Sequence, residues 1–132
     1  TERGITVIVN LAPILPFIND DMENIQGLLS YCVKAGVYGI LTDKMCPVLR
    51  EGNRERFYQQ LYKNFPDIYD QYEAVYADEK TLKTKNYTEI MACIRETCEA
   101  HGIQYDKEEL LRFTREYKNK TIGTQLSLFD MM

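Results

Sequence analysis

Residues 5–11, Ile-Thr-Val-Ile-Val-Asn-Leu, alternate Ile5, Val7, Val9 and Leu11 with Thr6, Ile8 and Asn10. A period of two with β-branched residues predicts a strand, and apolar residues on both faces predict one covered on both sides. Pro13 and Pro16 end it, because proline cannot donate to a ladder. Asp20 and Glu23 have the spacing of a capping box, and Met22, Ile25, Leu28, Leu29, Cys32 and Val33 then recur at helical spacing as far as Gly36. A second apolar run, Val37 to Leu41, reads as a strand. Strand, helix and strand within about forty residues make a βαβ unit with parallel strands and a right-handed crossover. This opening constrains the fold most, since a two-stranded parallel sheet is marginal alone and expects cover on both faces.

The remainder reads as helical. Phe57, Tyr58, Leu61, Tyr62 and Phe65 form one stripe, and beyond Pro66 a second is formed by Ile68, Tyr69, Tyr72, Val75 and Tyr76. Residues 77–85 read as a polar, Lys-rich loop. Asn86 with Glu89 begins a helix bearing Ile90, Met91, Ile94 and Cys98, stopped by Gly102, and Asp106 with Glu109 caps a last one bearing Leu110, Phe113 and Tyr117. Residues 118–132 lose periodicity and read as a flexible tail. The fold class expected is α/β: a βαβ portion over 1–49, a helical region over 50–117 and the tail.

Composition excludes several classes. At 45% apolar and 27% charged, the 132-residue chain is too apolar for disorder, and no apolar run is long enough to span a membrane. A net charge of −4 argues against a dedicated nucleic-acid domain. No signal peptide is visible, so a cytoplasmic location is expected. Cys32, Cys46, Cys93 and Cys98 fit no zinc or cluster spacing and read as free thiols, Cys32 and Cys98 on apolar helix faces. The chain starts at Thr1, not Met, and the small sheet needs more strands. A larger parent is therefore expected, with the missing strands supplied by an upstream segment or by a partner in a dimer.

The stretch from Gly4 to Asp21, with Pro13-Ile14-Leu15-Pro16 followed by Asn19-Asp20, and then Gly36-Val37 and Leu49-Arg50-Glu51-Gly52-Asn53-Arg54, resembles radical S-adenosylmethionine proteins. It is most similar to the spore photoproduct lyase-like group, also labelled DNA repair photolyases, over roughly residues 4–66. The resemblance implies the C-terminal part of a TIM-type barrel from a bacterial lyase-like enzyme using S-adenosylmethionine and a [4Fe–4S] cluster. The family's CxxxCxxC motif is absent, so the cluster ligands are expected in the upstream half and the isolated chain is expected to be inactive. Asn10, Pro13, Pro16, Asn19, Asp20, Arg50 and Arg54 would then line the cofactor.

Each of these residues also has a plain reading. Pro13 to Asp20 can be a rigid βα turn with an N-cap, although strand C-terminal ends are where ligands sit in such sheets. Arg50 and Arg54 can grip a carboxylate or phosphate, or can pair with Glu51 and Glu55 on a solvated turn. The tyrosine stripe can pack helices or stack bases. His101 has no metal-spaced partner. In the tail, Gln125-Leu126-Ser127-Leu128-Phe129 resembles the pentapeptide that docks on the bacterial sliding clamp, with Leu126, Leu128 and Phe129 as apolar anchors and Gln125 as a polar contact. The function classes open at this point are an enzyme part, a clamp-binding interaction module and a structural dimerisation domain.

Overall fold

The computed structural model describes residues 4–116. The order of elements is β1 (Ile8–Asn10), α1 (Met22–Ala35), β2 (Gly39–Leu41), α2 (Asn53–Asn64), α3 (Pro66–Val75), α4 (Tyr87–His101) and α5 (Lys107–Glu116). The fold is therefore mixed α/β, opening with the expected βαβ unit. β1 and β2 run parallel, Ile8 opposite Gly39 and Asn10 opposite Leu41. Regular strand covers less than residues 5–11, but the pairing reaches both ways: Tyr38 N donates to Val7 O (2.8 Å) and Leu11 N to Leu41 O (2.9 Å). Ile5 is left 63% exposed.

A third parallel position follows α4, where no strand is expected from the sequence. Gln104 N donates to Tyr38 O and Ile40 N to Gln104 O, each at 2.9 Å, giving a parallel bridge between Gly39 and Gln104. A bridge of one residue carries no alternation to read. Gly39 allows this closeness: a Cβ there would lie 2.9 Å from Gln104 O and collide with Leu110. β2 is thus paired on both edges, whereas β1 pairs on one edge alone among the described residues. Alternation turns the backbone of Ile8 to the unpaired side, since Val7 and Leu11 face β2.

The helix ends follow local chemistry with two corrections. Gly36 and Gly102 close α1 and α4 in the left-handed conformation, at φ 66° and 67°. Pro66 starts α3 at its first turn, and Asp106 caps α5 by accepting from Glu108 N (2.8 Å) and Glu109 N (3.3 Å). The cap of α1, however, is Asp21, which accepts from Asn24 N at 2.8 Å; the Asp20–Glu23 box does not form because Asp20 is engaged elsewhere. Likewise Asn86 makes no side-chain cap for α4, its Nδ2 donating instead to Asp20 O (3.1 Å).

Two cores result. One joins Leu11, Ile14, Ile25, Leu29, Ile40 and Met45 to Ile90, Ile94, Cys98 and Ile103, so α4 and the Gln104 segment complete the packing of the βαβ unit. The other gathers Leu49, Leu61, Tyr72, Tyr76 and Leu82, flanked by Phe17, Phe57, Tyr58 and Tyr69. The 77–85 segment is not simply a solvated loop. Leu49 N donates to Lys80 O (2.6 Å) and Leu82 N to Pro47 O (2.9 Å), and Leu82 and Thr84 are buried.

Candidate functional site at the strand ends

The polypeptide leaving β1 is drawn tightly into the domain. Ile14 N donates to Met45 O (2.7 Å), tying the loop to the segment after β2, and the Ala12–Pro13 peptide is cis. Asn19 folds the loop on itself: its Oδ1 accepts from Leu15 N (2.6 Å), its Nδ2 donates to Pro13 O (3.3 Å), and its carbonyl accepts from Asn24 Nδ2 (2.8 Å). Asp20 Oδ1 accepts from Phe17 N (3.1 Å), and Asp20 Oδ2 accepts from the hydroxyl of Thr84. The Tyr72 hydroxyl donates to Pro16 O at 2.7 Å. The loop after β1 is therefore clamped from the 84–86 segment and from α3.

Phe17 sits at the turn of this loop with φ 64°, a left-handed conformation uncommon for a bulky side chain and held here by the bonds to either side. Its ring lies 5.9 Å from Tyr72 and 6.3 Å from Tyr76, with Lys85 Nζ 5.7 Å from its centroid. Tyr76 donates to Lys83 O (2.6 Å), which anchors the lysine-bearing segment against the same face. Burial pushes the phenols of Tyr72 and Tyr76 above their ordinary range, so both remain hydrogen-bond donors.

The residues singled out from the sequence divide accordingly. Pro13, Pro16, Asn19 and Asp20 come together in one loop; Pro16 is buried, and the side chains of Asn19 and Asp20 are spent on the loop's own bracing. Asn10 is exposed at the end of β1. Arg54 does not pair with Glu51 or Glu55. Its Nη1 donates to Glu79 O (2.9 Å), its Nη2 lies 4.0 Å from Asp78, and its guanidinium rests 5.1 Å from the Tyr58 centroid. Arg50 is exposed, its carbonyl receiving Arg54 N. Gln125, Leu126, Leu128 and Phe129 lie outside the described residues. That Tyr72, Thr84 and Asn86 hold the loop was not readable from the sequence, because their partners are 56, 64 and 66 residues away.

The thiols do not form a metal centre. Burial raises Cys98 to about 11 and raises Cys32, both within the aliphatic core. Cys46 is also raised by burial, against smaller opposing effects of a hydrogen bond with the Thr84 backbone and of Lys83. Among the described residues no three His, Cys, Asp or Glu side chains are placed to hold a metal ion. The residues present thus do not fit a [4Fe–4S] cluster. What the strand-end loop offers chemically is a rigid, mostly apolar wall with one exposed amide side chain, Asn10.

A second feature lies at the open edge of β1. Gly4, Ile5, Thr6 and Ile8 from this edge and Phe113 and Thr114 from α5 line a cleft of about 490 Å³. Phe113 stacks on Tyr38 at 4.2 Å, which fixes that wall. No helix among the described residues is long and apolar enough to cross a membrane. No known family model, curated protein or solved structure matches the chain.

Proposed function

We propose that this chain is the C-terminal part of a radical S-adenosylmethionine enzyme, cytoplasmic and acting on a lesion in DNA. The observation that carries the reading is the one-sided sheet. Three parallel backbone positions succeed one another, and the first strand leaves its outer edge unpaired among the described residues, beside an apolar cleft. Parallel strands are ordinarily covered and paired on both sides, and an apolar edge is a template for another strand. A barrel's upstream half would supply that strand. The motif order around Pro13–Asp20 and Leu49–Arg54 supports the family assignment.

In this reading the cluster belongs wholly to the upstream half, because this chain's thiols do not fit it. S-adenosylmethionine would lie against the loop after β1, with Pro13 and Pro16 as wall and Asn10 as polar contact; Asn19 and Asp20 would hold the wall rather than touch the cofactor. Arg50, exposed, is the better placed of the two arginines for an anionic group, since Arg54 is already committed to Asp78 and Glu79. The test is to obtain the coding sequence upstream of Thr1 and reconstitute the encoded protein with iron and sulfide. A CxxxCxxC motif and reductive release of 5′-deoxyadenosine are expected. Absence of the motif, or of cleavage by a cluster-loaded protein, contradicts the reading.

A second reading rests on Gln125-Leu126-Ser127-Leu128-Phe129, which would tether the protein to a sliding clamp. Fluorescence anisotropy with a labelled tail peptide tests it: saturable binding to clamp that is lost on replacing Leu128 and Phe129 by Ala is expected, and binding indifferent to those changes rejects it.

A further inference from the structure

Helices α2 and α3 hold an aromatic cleft that the strand-end site does not use. Glu55, Tyr58, Gln59 and Tyr62 form one stripe of α2, and with Tyr69 of α3 they line a volume of about 510 Å³. Tyr69 stands nearly perpendicular to both neighbours, at 85° and 6.1 Å to Tyr58 and at 79° and 5.1 Å to Tyr62. Rings at such angles pack edge to face. Tyr62 remains 64% exposed, although burying a tyrosine is favourable.

Carboxylates stand around this corner. Glu55 lines it, and Glu73 and Asp70 lie close enough to Tyr69 to raise its phenol above the usual range. The nearby cation, Arg54, already lies over the Tyr58 ring and is engaged by Asp78 and Glu79, so these faces attract cations within the chain itself. The Tyr58 hydroxyl is buried and has no hydrogen-bond partner among the described residues. A phosphate-bearing ligand would meet the Glu55 carboxylate here, with Glu73 and Asp70 beside Tyr69. A small, weakly hydrated cation would meet ring faces and compensating charge together.

We propose that the cleft between α2 and α3 binds an organic ammonium group, and binds it best when trimethylated. A trimethylammonium has no N–H to leave unsatisfied among ring faces and is only weakly hydrated, so it loses little on leaving water. Glu55 supplies the charge partner at the rim; Tyr62 and Tyr69 supply the walls. This site stands independently of the strand-end reading, since it needs neither an upstream half nor a cofactor.

The experiment is an NMR titration of the full chain with choline, following the tyrosine ring protons, beside the uncharged tert-butyl analogue in which carbon replaces nitrogen. Choline is expected to give saturable shifts, with the neutral analogue at least about tenfold weaker. Tyr62→Leu and Tyr69→Leu should each weaken choline about tenfold, and Glu55→Gln about threefold. Tyr62 is exposed enough for its variant to fold, which circular dichroism checks. No saturable shift, equal affinity for the neutral analogue, or unchanged binding by folded Tyr62→Leu overturns the proposal.

Discussion

The core shared by β1, α1, β2 and α4 is aliphatic and thiol, whereas the core beneath α2 and α3 is built on Tyr72 and Tyr76. In the first, side chains such as Ile25, Ile40 and Ile90 are fully buried and need only apolar neighbours. In the second, the buried rings of Tyr72 and Tyr76 carry hydroxyls that need acceptors, and each finds a backbone carbonyl: Pro16 for Tyr72 and Lys83 for Tyr76. The aliphatic core stabilises the sheet by bulk alone. The tyrosine core also aims two loops, because its hydrogen bonds fix where the segment after β1 and the segment before α4 must lie.

That contrast can be broken at named positions. Ile40→Ala, in the aliphatic core, should cost about 2–5 kcal/mol, read from the urea midpoint, because it removes buried volume from a strand paired on both edges. Tyr72→Phe keeps the ring and removes only the hydroxyl, yet should cost about 1–3 kcal/mol by leaving the Pro16 carbonyl without its donor. A similarly small trimming in the other core, Ile40→Val, should cost about 0.5–1.5 kcal/mol. If Tyr72→Phe is neutral, the hydroxyl does not position the loop. Thr84→Val should cost about 1 kcal/mol, with faster proteolysis of the loop at residues 13–20, since it removes the donor to Asp20 while keeping the shape.

A further effect is one of pH. Burial lifts the Cys98 thiol from its ordinary 9.0 to about 11, so the unfolded chain ionises first as pH rises. The stability this neutral thiol supports is complete below pH 9.0 and is lost as pH climbs through about 11. Urea unfolding over that range should show a declining midpoint, and Cys98→Ala should decline less. A slope unchanged in Cys98→Ala would place the effect in the buried tyrosines, whose phenols are also raised.

What could be read from sequence was local. The helical stripes, the break at Pro66, the stops at Gly36 and Gly102 and the cap at Asp106 all depend on residues within a few positions of one another, and all were legible. The βαβ opening was legible for the same reason. Asp20 was misassigned as a cap because its partner, Thr84, is distant in sequence and only the fold brings them together. The Gln104 bridge is one residue long and has no period. One of the two readings of Arg54 paired it with Glu51 and Glu55, but Asp78 and Glu79 are presented to it by the turn after α3. Of the candidate site, the loop from Pro13 to Asp20 was legible from its place at the end of the first strand and from the resemblance; the side chains that brace it were not.

The open edge of β1 tests the larger assignment most directly. Hydrogen exchange at the Ile8 amide should be fast in the 132-residue chain, since among the described residues β1 is paired on one side. In the protein extended by its upstream coding sequence, that amide should become strongly protected while Ile40, already bonded to Gln104, changes little. Unchanged fast exchange at Ile8 in the extended protein would contradict the view that β1 is an interior strand of a larger barrel.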